Sequence, residues 1–213
     1  MELIEIIKVV ILGIIQGITE WLPISSTGHM LLANTFLNLK QDKAFMDMFV
    51  VVIQLGSILA VVALYFNKLN PFSRAKSRAE RFATFQLWFK VLVAVLPVGV
   101  IGLLVDDWVT DHFYTPTVIA IALIFYGVLF ILLERRNRTV RPRIRSFEQL
   151  SYRTAFCIGM VQLLAIIPGT SRSGSTILGA MILGVSRTAA AEFSFFLAIP
   201  TMLGASLLKA VKF

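Results

Sequence analysis

Uncharged apolar runs of membrane-crossing length recur along this chain, and they restrict its fold more than any other feature. Met48 to Phe66, Phe113 to Leu133 and Thr154 to Ser171 contain no Asp, Glu, Lys or Arg. A hydrocarbon core takes about 20 helical residues to cross, so each run is near the required length. Phe85 to Val105 is a fourth candidate, because the stem of Lys90 can snorkel, and Phe193 to Leu208 is a fifth. With 57 % hydrophobic and 15 % charged residues, a bilayer suits the chain better than water does. The expected fold class is an all-α polytopic membrane protein, one membrane domain over residues 1–213.

Charge then sets orientation. The net charge of +8 is gathered in loops: Lys68, Arg74, Lys76, Arg78 and Arg81 in one, seven arginines between Glu134 and Arg153 in another. Between them, Asp106 to Pro116 holds three aspartates and no Lys or Arg. That alternation is the positive-inside pattern, so the basic loops belong in the cytoplasm and no nucleic-acid partner is implied. The lone Cys157 has no disulfide partner in the chain and reads as packing. Glu2 and Glu5 stand where a signal peptide would be basic, so a cleaved leader is not expected.

Two apolar regions, Leu3 to Leu39 and Thr154 to Ser186, are broken midway by Pro, Gly, Ser and a charged residue. Gly13, Gln16, Pro23 and Gly28 of the first match Gly159, Gln162, Pro168 and Gly174 of the second at an offset of 145 or 146. The loop charges give the two regions opposite directions, which predicts inverted-topology repeats, each opening with a re-entrant helical hairpin. A kinked full crossing at either break would put the arginines on the wrong side. Repeat one covers 1–133, with a hairpin at 3–39 and helices at 45–66, 85–105 and 113–133. The basic cytoplasmic loop follows at 134–153. Repeat two covers 154–213, with a hairpin at 154–186 and one helix at 193–211. Two helices are then absent, and the offset predicts a C-terminal truncation of roughly 65 residues.

The first break runs from Gln16 through Glu20, Pro23, Ser25, Ser26, Thr27 and Gly28 to His29. Gln16 and Glu20 are one helical turn apart and share a face. Pro23 ends that helix, and the hydroxyl-rich turn after it offers backbone N–H groups to an anion. A carboxylate, a hydroxyl cluster and an imidazole are the base, nucleophile and acid for displacement at phosphorus. Helix capping alone would explain the hydroxyls, but it leaves an ionisable Glu and His at membrane depth unexplained. The second break runs Pro168-Gly169-Thr170-Ser171-Arg172-Ser173-Gly174. Its planar guanidinium can hold two phosphate oxygens, with Thr170, Ser171, Ser173 and Gly174 as a cradle. No Gly-Lys-Ser/Thr ending is present, so this is not a Walker loop. Pairing of Arg172 with Glu20 to neutralise a buried charge is compatible with the same role in an unliganded state. Asp47 and Glu192, at equivalent places in the repeats, read as helix-boundary charges.

At these residues, and at Val51 to Ser57 and Glu192 to Phe195, the sequence resembles the undecaprenyl-diphosphatase family, the bacitracin-resistance membrane phosphatases. The resemblance implies hydrolysis of undecaprenyl diphosphate to the monophosphate at the outer face of the bacterial cytoplasmic membrane, recycling the carrier lipid for cell-wall synthesis. It implies Glu20 as the essential carboxylate, Ser26 as nucleophile, His29 as acid or alternative nucleophile, and Arg172 as diphosphate clamp. Gln16, Ser25, Thr27, Gly28, Thr170, Ser171, Ser173 and Gly174 would bind substrate. A divalent cation, Mg2+ or Ca2+, usually supports the activity, with Glu20 as its ligand. Gln16 replaces a second glutamate common in the family, which weakens a two-carboxylate site, and Val50 replaces a frequent acid. The expected partners are the polyprenyl diphosphate substrate and membrane lipid, and a homodimer is compatible with them. A polyprenyl-phosphate transporter or flippase is the alternative, since inverted repeats are also a transporter architecture.

Overall fold

The computed structural model describes residues 3–137 and 140–212, and within them leaves out the side chains of Lys43, Asp47, Asp106, Asp107, Thr110 and Lys212. Asp47, expected as a boundary charge, thus falls outside the described side chains. Among the described residues every regular element is helical, apart from an isolated bridge between Ile144 and Val185.

The chain order is α1 (Leu3–Thr19), α2 (Ser26–Leu37), α3 (Lys43–Val52), α4 (Gln54–Leu64), α5 (Phe66–Leu69), α6 (Arg78–Phe113), α7 (Pro116–Asn137), α8 (Tyr152–Gln162), α9 (Arg172–Ile182) and α10 (Arg187–Lys212). A single 3-10 turn, Leu163–Ile166, follows α8. Among the described residues four segments are long and apolar enough to cross a membrane: Ala44–Leu64, Arg78–Val105, Pro116–Asn137 and Arg187–Val211. An all-helical chain with four such spans fits a multi-pass membrane protein.

Local chemistry explains the helix starts. Ser77 and Glu80 form a reciprocal capping box, so α6 begins at Arg78, well before the uncharged run at Phe85. Pro116 opens α7, where its fixed φ and missing N–H cost nothing. Ser151, Ser25 and Ser171 each cap the helix that follows them, accepting from the N–H three residues on.

The core gathers around α6, α8, α9 and α10, where Val91, Ala94, Ile158, Phe193, Phe196 and Leu197 are buried together. α8 lies against α6 at Gly159, where a Cβ would stand 2.2 Å from the Ala94 carbonyl oxygen. α9 lies against α8 at Gly179, where a Cβ would meet Val161 at 2.9 Å. Small residues at these crossings bring backbones together without a hydrophobic driving force, as membrane helices require. Conversely, large apolar side chains such as Ile4, Val10, Ile14, Leu64, Leu104 and Ile124 are exposed. The exterior is therefore as greasy as the interior, which suits lipid contact.

The two basic loops converge at one end of the molecule. Lys68 Nζ sits 4.7 Å from the ring centroid of Phe147 and pairs with Glu192 at 2.5 Å. Lys90 donates to the Phe147 carbonyl at 2.7 Å, and Arg187 pairs with Glu134 at 2.9 Å. Phe147 belongs to the second basic loop and Lys68 to the first, so their charges share one side.

Candidate functional site

Each of the two sequence breaks interrupts a pair of packed helices. α1 ends at Thr19 and α2 starts at Ser26, with Glu20 to Ser25 between them. α8 and its 3-10 turn end at Ile166 and α9 starts at Arg172. Ser25 adopts φ 66°, unusual for a residue with a Cβ, and Gly169 adopts φ +86°. A Cβ at Gly169 would lie 2.7 Å from the Ile119 Cα, so only glycine fits that turn against α7.

The breaks touch each other. Arg172 Nη2 donates to Glu20 Oε1 at 2.9 Å, and the Ser173 hydroxyl donates to the Leu22 carbonyl at 3.3 Å. Trp21 meets Phe195 of α10 edge to face, with centroids 5.1 Å apart, which holds the first break against α10. Residues about 150 positions apart in the chain are thereby in direct contact.

Glu20 is the hub, with only 6 % of its surface accessible. Its Oε2 accepts from the Ser26 hydroxyl at 2.5 Å and from Gln16 Nε2 at 3.2 Å, while Oε1 takes the guanidinium. Gln16 is fixed in turn, since its Oε1 accepts from Ser57 of α4 at 3.0 Å. Arg172 is anchored on its other side, Nη1 donating to the Ser194 carbonyl at 2.9 Å. Thr176 and Ser194 share a hydroxyl bond at 2.7 Å beneath it. A short hydroxyl-to-carboxylate bond puts the Ser26 hydroxyl beside a group able to take its proton, an arrangement that suits a nucleophile and its base. The neighbouring guanidinium supplies the positive charge that a phosphoryl group needs.

These groups line a cavity of about 210 Å³. Glu20, Ser25, Ser26, Thr27, Thr170, Ser171, Arg172 and Ser173 all face it. Gln16 stands behind Glu20 rather than on the wall. Gly28 and Gly174 lie in the first turns of α2 and α9, their N–H groups taken by the Ser25 and Ser171 hydroxyls at 3.4 and 3.0 Å. His29 does not join the group. Its Nδ1 bonds the Ser25 carbonyl at 2.9 Å, and its ring lines two other cavities, between α2 and α7 and beside Tyr126. The reason is local: the bond back to Ser25 directs the imidazole toward α7.

Sequence reasoning missed several of the wall and support residues. Gln54, Gln162, Thr201 and Met202 line the cavity, and Ser57 and Ser194 buttress Gln16 and Arg172. Gln162 carried a signal, being the residue that the expected repeat matches to Gln16. Thr201 and Met202 lie in an ordinary apolar helix and carried none.

A divalent cation can be tested against the donor set. Among the described residues no group of three His, Cys, Asp or Glu forms a protein cage. The hard oxygens of Glu20 and Ser26 nonetheless suit Mg2+ or Ca2+ brought in on a phosphate, a mode that needs only one or two carboxylates.

Residues 9–213 match the family described as "Bacitracin resistance protein BacA". The "Undecaprenyl-diphosphatase" of Limosilactobacillus fermentum (strain NBRC 3956 / LMG 18251) is 60 % identical over 211 residues, 99 % of this chain and 76 % of that protein. "Undecaprenyl-diphosphatase 1" of Clostridioides difficile (strain 630) is 59 % identical with the same coverage. The "Undecaprenyl-diphosphatase" of Streptococcus equi subsp. equi (strain 4047) is 57 % identical over 213 residues, 100 % of this chain and 76 % of that protein.

Proposed function

The chain belongs to the bacitracin resistance protein BacA family, and on that premise we propose that its Glu20–Arg172 cavity hydrolyses undecaprenyl diphosphate to undecaprenyl phosphate and inorganic phosphate. The observation that carries the proposal is the Ser26 hydroxyl held by Glu20, itself paired with Arg172, in one buried cavity.

In the first step Ser26 Oγ attacks the terminal phosphorus while Glu20 Oε2 takes the hydroxyl proton. The bond from that phosphorus to the bridging oxygen breaks, and its electron pair leaves on the lipid monophosphate. Arg172 holds the developing charge, and the N-termini of α2 and α9 add their dipoles. Glu20 passes the Ser26 proton to the departing lipid phosphate. Water then attacks the phosphoserine, giving a proton to the freed Glu20 carboxylate, which returns it to Ser26 Oγ as phosphate departs. The leaving lipid phosphate is a stable anion that needs little acid assistance, so His29 is outside these steps. A divalent cation, held by Glu20 with phosphate oxygens, would neutralise charge on the diphosphate.

An apolar groove of about 700 Å³ between α2 and α7, lined by Leu32, Ile119, Ala120 and Leu123, starts beside Gly28 and suits the isoprenoid tail. The broken segments are read as re-entrant hairpins in inverted repeats. In support, α1 packs on α2 and α8 on α9, and each break ends in a serine cap. Access from the outer face of the cytoplasmic membrane is supported by depth. Val98 of the cavity wall lies about 30 Å along α6 from its basic start at Arg78, at 1.5 Å per residue. No observation favours the transport alternative.

The test is release of inorganic phosphate from undecaprenyl or farnesyl diphosphate by the protein in detergent. Sustained release by the wild type that disappears in Glu20→Gln supports the assignment; equal release by both overturns the role of Glu20.

A further inference from the structure

Gln162 is the fully buried glutamine of the site, and its amide has no protein partner among the described residues. The side chain is fully buried, at 0 % exposure, and neither Nε2 nor Oε1 has a hydrogen-bond partner. It nevertheless lines the cavity that holds Glu20, Ser26 and Arg172. Gln16, its match in the expected repeat, shows the opposite state, with Nε2 bonded to Glu20 and Oε1 to Ser57.

Burying an amide without partners is costly, and leucine would fill the same space without that cost. The position is also rigid. Gln162 ends α8, just before the 3-10 turn, and the Gly159 contact presses that helix against α6 one turn earlier. A second unpartnered donor stands on the same wall, the buried Nε of Arg172, whose Nη1 and Nη2 are already bonded. Two buried, unsatisfied polar groups on residues that line one cavity point to a ligand that would complete them.

We propose that Gln162 binds the terminal phosphate of the substrate directly, its Nε2 donating to a non-bridging oxygen and its Oε1 accepting from the hydroxyl of the singly protonated phosphate. This rests on the phosphatase reading and adds a recognition residue to it. An amide suits the task because it offers one donor and one acceptor without charge.

The test compares wild type, Gln162→Leu and the near-isosteric Gln162→Met in detergent. The readouts are KM and kcat for farnesyl diphosphate, inhibition by inorganic phosphate, direct phosphate binding by calorimetry, and melting temperature. Both variants are expected to raise KM and the phosphate inhibition constant by roughly tenfold, with melting temperature unchanged or higher. Unchanged KM and phosphate affinity in either folded variant overturns the inference. A wild type that binds phosphate but releases none from the diphosphate sinks the phosphatase reading instead. Calorimetry then still decides the role of Gln162.

Discussion

Glu20 accepts three hydrogen bonds from three different side chains, and this crowding fixes what its replacement does. Glutamine keeps the shape and a hydrogen-bonding carbonyl but cannot take the Ser26 proton. Glu20→Gln should therefore insert normally and lose about 10²–10⁴-fold in kcat, measured as phosphate release. Arg172→Ala is a harsher change, because it strands a buried carboxylate at about 3–5 kcal/mol. Its loss of activity should come with a larger fall in melting temperature than that of Glu20→Gln, which keeps the side-chain shape and an acceptor for the guanidinium. Ser26 and His29 are told apart on the same assay. Ser26→Ala should abolish turnover, while His29→Ala, outside the cavity, should keep activity within about tenfold of wild type, consistent with a residue excluded from proton transfer. An inactive His29→Ala that folds would return the imidazole to the mechanism.

At the scale of elements, the site depends on how closely α8 approaches α6 and how α9 is capped. A side chain at Gly159 collides with backbone at Ala94, and backbone cannot rotate away as a side chain can. Gly159→Val should destabilise by at least about 1–3 kcal/mol, the range for overpacking, seen as a fall in melting temperature in detergent. Ser171→Ala removes the hydroxyl that accepts from Gly174 and should cost about 1 kcal/mol. Because that cap fixes the first turn bearing Arg172, KM should rise as well. A change in stability with no change in KM would separate the cap from the site.

For the whole molecule, both basic loops lie at one end, joined through Lys68 and Phe147. The proposed topology puts that end in the cytoplasm and Asp111 outside. Single cysteines at Phe72, Val140 and Asp111, in a Cys157→Ala background, test it in intact cells. An impermeant thiol reagent should label only the Asp111→Cys protein, and labelling of the other two alone would reverse the orientation.

Helicity and membrane residence were determined by sequence alone, because hydropathy and loop charge act through the solvent and need no knowledge of neighbours. The groups proposed to react were legible too. Glu20, Ser26 and Arg172 are polar residues where polarity is costly, and that cost marks them wherever they lie. Only the tertiary structure decided which of them meet. The bond between Glu20 and Arg172 spans 152 positions, and the support from Ser57 and Ser194 comes from segments that the resemblance marks without giving either serine a role. His29 shows the limit most directly. Three residues from Ser26 on the same helix, it points elsewhere because a backbone carbonyl captures its ring, a choice made by local geometry that residue type cannot announce.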